Sequence, residues 1–376
     1  MALAFKLSSG DSHIVEPPDL WTKRIDRKYL DRAPRIVSEA KTDSFVCPGA
    51  LSEKGGIGLI STLAKYTRKA ASREFGFVGR WEEVPPGGYD PFARVKEMDV
   101  EGIEAELLYT SFGLTMFSIP DLDFQYACFQ AFNDWLANFS ASAPKRLFGV
   151  AMLPTAPLER TVSELERIAK MGMRGAMISI DQDQGRGYDN PMYEPVWSAA
   201  EDNGIPLSLH VAASKKHFGH TNNIYADFSL AFAPTMYTIA AMIFSGVFDR
   251  HRKLKVISVE NDAAWAAGML ERMDDRYERD AGWAGRITAM TSGRKPSEIF
   301  HEHVGLTFMR DKTAVFNRSI IGRKNLMWGS DYPHFDGAWP DSKSILAPQL
   351  EGVSEEEQLM IGRTNLIDFY NLPVER

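Results

Sequence analysis

The chain has 376 residues, 44% hydrophobic, 25% charged and 11% aromatic, an ordinary globular composition that excludes collagen-like, coiled-coil and disordered chains. Lys and Arg total 43 against 50 Asp and Glu, a net charge of -7, so no strong basic field exists and nucleic acid is not an expected partner. Two cysteines, Cys47 and Cys128, are too few for a disulfide framework and suit a reducing cytoplasm.

The start of the chain lacks a basic region followed by a long apolar core, so no signal peptide is expected. Apolar, β-branched runs predict strands over 7–15, 105–110, 147–153, 175–181, 206–211, 254–260, 304–308 and 325–331. Amphipathic stretches predict helices over 124–142, 157–171, 192–202, 229–248, 263–276, 311–321 and 354–370. Residues 228–248 carry no charge, but Pro234, Gly246 and several hydroxyl residues interrupt them. They are read as a buried helix rather than a membrane span. Eight strand–helix repeats fit an α/β fold of the (β/α)8 TIM-barrel type, in one domain spanning 1–376. A doubly wound sheet shows the same alternation, but no Gly-x-Gly-x-x-Gly follows the first strand. Residues 22–100 are too long for a simple connection and predict an inserted cap or dimer arm, because Phe75, Phe77 and Trp81 need burial.

Metal-capable side chains gather at the strand ends. Asp11 and His13 stand two apart on the first strand and so share one face. Glu16 follows, stiffened by Pro17 and Pro18. The fifth strand ends in His210, the sixth in Glu260 and the eighth in Asp331. In a barrel these ends converge on one mouth. Ionised carboxylates at the ends of apolar strands cost several kcal/mol unless compensated, and no Lys or Arg lies within these strand ends. A divalent cation is the simpler compensator. His217 and His220, after the fifth strand, offer a further ligand or a substrate contact. Lys215 and Lys216 beside them read as a solvated loop. His301 and His303 precede the seventh strand and should lie at the opposite end in a structural role. His334 is placed to orient a ligand or meet substrate, and Arg94 to face substrate from the cap. No Gly-x-Ser-x-Gly elbow supports a serine hydrolase.

The segments Asp11-x-His13-x-x-Glu16-Pro17-Pro18, the strand-end His210 and the run from Trp328 to His334 resemble the amidohydrolase superfamily. They resemble in particular the branch that includes aminocarboxymuconate-semialdehyde and γ-resorcylate decarboxylases. The tail from Asn365 to Tyr370 is similar to that family's closing helix. The resemblance implies metal binding by Asp11, His13, His210 and Asp331. The sequence departs from the decarboxylases near the sixth strand, where Glu260 stands and no His is found. Six ligand candidates exceed the needs of one ion. The pattern also resembles TIM-barrel nonheme diiron monooxygenases. The favoured expectation is therefore an O2-dependent dinuclear iron, or manganese/iron, monooxygenase acting on a small carboxylate or acyl-type substrate. Asp11, His13 and Asp331 would hold one ion, Glu16, His210 and His220 the other, with Glu260 bridging. The alternative is one zinc or manganese ion serving hydrolysis or nonoxidative decarboxylation, with Asp331 as general base and Glu260 as proton donor. A barrel that has lost activity and serves as a binding subunit is the third reading. Arg94, His217 and His334 are the expected substrate contacts. The expected partners are a small anionic molecule and a second copy or a related subunit, with no membrane.

Overall fold

The computed structural model describes residues 3–58, 78–182, 186–216, 223–280 and 288–374. Eight parallel strands form one sheet: β1 (Leu7–His13), β5 (Ile103–Tyr109), β6 (Leu147–Met152), β7 (Gly175–Ile178), β8 (Leu207–His210), β9 (Val256–Val259), β10 (Val304–Phe308) and β11 (Leu326–Trp328), paired in that order. The β-branched and apolar runs form strands because both faces are covered, one by barrel contents and one by helices. Each strand lies within its predicted run or within two residues of it. The ring closes between β11 and β1, where Asp331 N–H donates to Asp11 O (2.8 Å) and His13 N–H to Tyr332 O (2.6 Å). Gly329 permits this approach: a Cβ there would stand 2.6 Å from Asp11 Cβ. The fold is a (β/α)8 barrel.

Between β1 and β5 lies a small antiparallel sheet of β2 (Arg35–Ser38), β3 (Asp43–Val46) and β4 (Lys54–Gly56). Phe45 of β3 stacks on Phe112, in the loop leaving the C-terminal end of β5, with ring centroids 4.6 Å apart. Residues 91–100, expected within the insertion, instead form most of helix Pro91–Glu101, the crossover that enters β5. Of the aromatics expected to anchor the insertion, Trp81 is half-buried beside Tyr89, while Phe75 and Phe77 lie outside the described residues.

The uncharged stretch differs from expectation. It divides into helices Ile224–Ser229, Ala233–Phe244 and Val247–Arg250, parted by the turn before Pro234 and by Gly246 at φ 69°. Helix Ala233–Phe244 buries Thr235, Ile239, Met242 and Ile243, while Tyr237 is 80% exposed. Within Tyr225–Phe244 an 18-residue window reaches a mean hydropathy of 1.3, apolar enough to cross a membrane by composition and length, and 22% of that window is buried.

Candidate metal centre

The C-terminal ends of four strands bring five side chains together. Asp11 and His13 lie within β1 and point into the barrel, as their two-residue spacing requires. His210 is the last residue of β8. Glu260 follows β9, and Asp331 lies just beyond β11. Both have left-handed backbones, φ 57° and 52°. Residues other than Gly, Asn and Asp seldom adopt this conformation, so the strain falls on Glu260, and such strain clusters at functional sites.

The histidine tautomers follow from their neighbours. His13 Nδ1 lies 2.8 Å from Thr110 O, and His210 Nδ1 lies 2.8 Å from Val211 O. A carbonyl oxygen only accepts, so each Nδ1 carries a proton and donates it. The Nε2 atoms then face one another at 3.3 Å. Only a proton or a metal ion can sit between them. Around this point lie Asp11 Oδ1, 3.4 Å from His13 Nε2 and 3.6 Å from His210 Nε2, and Asp331 Oδ1, 3.4 Å from His13 Nε2. Glu260 Oε2 stands 3.5 Å from His210 Nε2 and 3.9 Å from His13 Nε2. Donors held about 2.1 Å from a four-coordinate ion stand about 3.4 Å apart, so these spacings suit a first-row divalent ion. Asp11 Oδ1 and Asp331 Oδ1 are buried and have no hydrogen-bond partner among the described residues. Orphaned buried carboxylate oxygens aimed at two imidazole nitrogens are what a cation would satisfy.

The charges agree. Burial opposes ionisation of Asp11, but the His13 and His210 imidazoles outweigh it and hold its carboxyl below the usual range. Burial pushes His13 down to about 3, with the His334 and His210 rings adding to the effect. Burial also works against a charge on His210, yet Asp11 and Glu260 outweigh it and raise the ring to about 9. Burial, then the Asp331 and Asp11 carboxylates, push Glu260 well above its ordinary value. Burial and Asp11 do the same to Asp331. The cluster therefore demands positive charge, supplied by a proton on His210 when no metal is bound.

Two expected residues lie elsewhere. Glu16 is fully buried, and its carboxylate is used: Thr110 Oγ1 donates to it, as do Phe112 N–H (3.0 Å) and Gly113 N–H (3.1 Å). It ties the β1 exit to the loop after β5 and does not join the groups around His13 and His210. Arg94 is wholly buried rather than facing substrate. Its Nε donates to Glu106 (2.6 Å) and its Nη1 to His13 O (2.8 Å) and Gly87 O (3.2 Å). Its guanidinium lies over the Tyr332 ring. It thereby braces the end of β1 that carries His13. His217 and His220 lie outside the described residues.

His334 stands inside the site, its ring against that of His13 at a centroid distance of 3.9 Å and tilted by 31°. His301 and His303 each bond a main-chain carbonyl, of Ile320 and Leu254. Sequence reasoning missed Thr110 and Ser111, which act through a carbonyl and a hydroxyl after β5. Their residue types carry no metal-site signal, so only the fold reveals them.

The chain belongs to the amidohydrolase family, whose profile matches residues 70–372. Among curated relatives, a 2-amino-3-carboxymuconate-6-semialdehyde decarboxylase from Dictyostelium discoideum is 25% identical over 305 residues, 78% of this chain and 79% of that protein. A gamma-resorcylate decarboxylase from Polaromonas sp. is 26% identical over 297 residues, 74% of this chain and 86% of that protein. Among solved structures, an amidohydrolase from Mycobacterium avium subsp. paratuberculosis matches at a TM-score of 0.76 and 22% identity, over 98% of this chain and 100% of that one. A dihydroxybenzoic acid decarboxylase from Polaromonas sp., solved with manganese and 2-nitroresorcinol, matches at 0.65 and 20% identity, over 99% and 98%. The curated relatives are decarboxylases, and this overturns the expectation of an O2-dependent monooxygenase in favour of its alternative.

Proposed function

We propose that the chain is a nonoxidative decarboxylase that uses one divalent ion, manganese by analogy with its neighbours, on a small aromatic or enolic carboxylate. The observation that carries this reading is the pair of His Nε2 atoms facing each other at 3.3 Å amid orphaned carboxylate oxygens. A neutral imidazole nitrogen has one lone pair, so His13 Nε2 serves a single ion. The removal of Glu16 from the ligands takes away a second ion's anchor. Two overlapping groups, Asp11–His13–His210–Glu260 and His13–Glu260–Asp331–His334, share His13 and Glu260, which supports one ion position rather than two.

Asp11, His13, His210 and Asp331 would hold the ion, which when bound polarises the substrate's carboxylate and adjoining oxygen. Glu260 has a different position. Its side chain is 33% exposed, against 0–5% for Asp11, His13, His210 and Asp331. It is thus the cluster's carboxyl that substrate entering the mouth meets. Glu260 would deliver the proton to the carbon that carries the leaving carboxylate. As that carbon–carbon bond breaks, its electron pair stays with the organic product and CO2 departs. Asp331 would take up the proton released from the substrate's neighbouring oxygen.

The test supplies Mn2+ to chelator-stripped protein and measures CO2 release, without O2, from dihydroxybenzoates, 5-carboxyvanillate and 2-amino-3-carboxymuconate-6-semialdehyde. Release from at least one of these, lost on chelation and reduced at least 100-fold in Glu260→Gln, is expected. Metal-loaded protein that releases CO2 from none of them would overturn the reading.

A further inference from the structure

We infer that His334 is a ligand of the ion in its own right, a third imidazole that binds through Nδ1. The inference rests on the metal-binding reading of the cluster and not on the reaction. It starts from Ser111, whose Oγ donates to Ile14 O at 2.7 Å. A hydroxyl has one proton, so Ser111 Oγ can only accept from its second neighbour, His334 Nε2, at 2.9 Å. That fixes the His334 proton on Nε2 and leaves Nδ1 as the ring's free nitrogen. Nδ1 lies 2.8 Å from Asp331 Oδ1.

With its one proton on Nε2, the neutral ring cannot donate across this contact, and only a second ring proton or a cation can join the two atoms. Asp331 Oδ1 is a buried atom with no hydrogen-bond partner among the described residues. Two electron-rich atoms therefore meet at closer than van der Waals distance with nothing between them, and an ion bound to both removes the conflict. The same atom of Asp331 stands 3.4 Å from His13 Nε2. The donor atoms of His13, Glu260, Asp331 and His334 all lie within 4.8 Å of one another. The second-layer arrangement repeats across the three rings: His13 and His210 spend the far nitrogen on main-chain carbonyls, and His334 spends it on a hydroxyl anchored to the main chain. Such outer partners fix the tautomer of metal-binding histidines. Ser111 thus acts as a positioning residue for His334, and its tie to Ile14 joins the ring to β1's own exit.

The consequence is a donor set of three imidazoles, His13, His210 and His334, and two carboxylates, Asp11 and Asp331, with Glu260 left to move a proton. A set that large suits a six-coordinate ion such as Mn2+ better than four-coordinate Zn2+. The test is a spectroscopic count of ligands. Chelator-stripped wild type and His334→Ala are each loaded with Mn2+, and imidazole nitrogens coupled to the ion are counted by pulsed electron paramagnetic resonance. Affinity is read in parallel by competition with a chelator. Three nitrogens are expected in wild type and two in His334→Ala, with affinity lowered on the order of 10- to 100-fold or more. Two nitrogens in the wild type overturn the inference, and this count stands even if the variant fails to fold. An unchanged affinity in a folded His334→Ala overturns it as well. Failure of the decarboxylase reading would leave the count of three untouched, so the two results are separable.

Discussion

His13 and His210 share neighbours yet are driven in opposite directions, to about 3 and about 9. Burial lowers both rings: at His13 the His334 and His210 rings add to it and Asp11 does not offset them, while at His210 the Asp11 and Glu260 carboxylates outweigh it. Metal must displace the proton from His210, so affinity for Mn2+ should fall up to tenfold per unit as pH drops below about 9 and level off above it. Stability of the metal-free protein should run the other way. A histidine raised on folding contributes stability that is complete below its unfolded value near 6.5 and lost as pH rises through about 9. Glu260 and Asp331, also raised, push in the same direction over this window. The gap in melting temperature between manganese-loaded and stripped protein should therefore widen from pH 6.5 to 9, and a constant gap would refute the assignment. Glu16 shows the limit of reading single residues. Its spacing from Asp11 and His13 suits a ligand, but the groups that satisfy it lie 94–97 residues away. A carboxylate's burial is visible in sequence; whether a cation or main-chain N–H groups compensate it is not. Glu16→Ala should leave metal stoichiometry unchanged while costing on the order of 1–3 kcal/mol for each donor left unpaired, as measured by urea denaturation.

The elements were the legible part of the fold, because a strand buried on both faces writes itself as a short apolar run. What the runs omit is how their ends meet. Residues 354–370 read as one helix, but the helix opens into a wider π turn at Met360–Thr364 before Asn365–Tyr370. The stretch 228–248 reads as buried because it lacks charge, yet the barrel covers only one side of it. The ring closure between β1 and β11 depends on Gly329, whose missing side chain no periodicity exposes. Adding a Cβ there presses on the Asp11 backbone, with the Asp11 nitrogen only 3.2 Å away. A backbone atom cannot swing aside as a flexible side chain does, so β11 and β1 must part. Gly329→Ala should then lower Mn2+ affinity about 10-fold or more and destabilise the protein by about 1–3 kcal/mol. Unaltered affinity in a folded variant would show that strand spacing does not set the site. Arg94 works at the same scale, joining helix Pro91–Glu101 to β5 through Glu106 and to β1 through His13 O. Sequence placed Arg94 in the cap facing substrate, and could not tell a guanidinium that looks outward from one buried in the crossover helix against the strands.

At the scale of the molecule, the ion would join residues from nearly both ends of the chain. Asp11 and His13 come from the first strand of the barrel, His210 and Glu260 from the fifth and sixth, and Asp331 from the eighth. The alternation of strands and helices announced the barrel, and the strand-end carboxylates announced the cluster, since both follow from local sequence. Without a cation the same arrangement stores repulsion: Asp11, Glu260 and Asp331 are drawn together at the mouth with three imidazoles, of which only His210 is pushed toward its charged form. Binding relieves that repulsion only in the folded state, because the unfolded chain scatters these residues over more than 300 positions. Free ion at 100 times its dissociation constant should therefore add about 2.7 kcal/mol to the unfolding free energy. The gain should show as a higher urea midpoint with an unchanged slope. It should shrink in Asp331→Asn, which keeps the shape of the side chain and removes its charge. An ion that binds at full stoichiometry without moving the midpoint would have to bind the unfolded chain equally well. That would deny the barrel's closure any part in building the site.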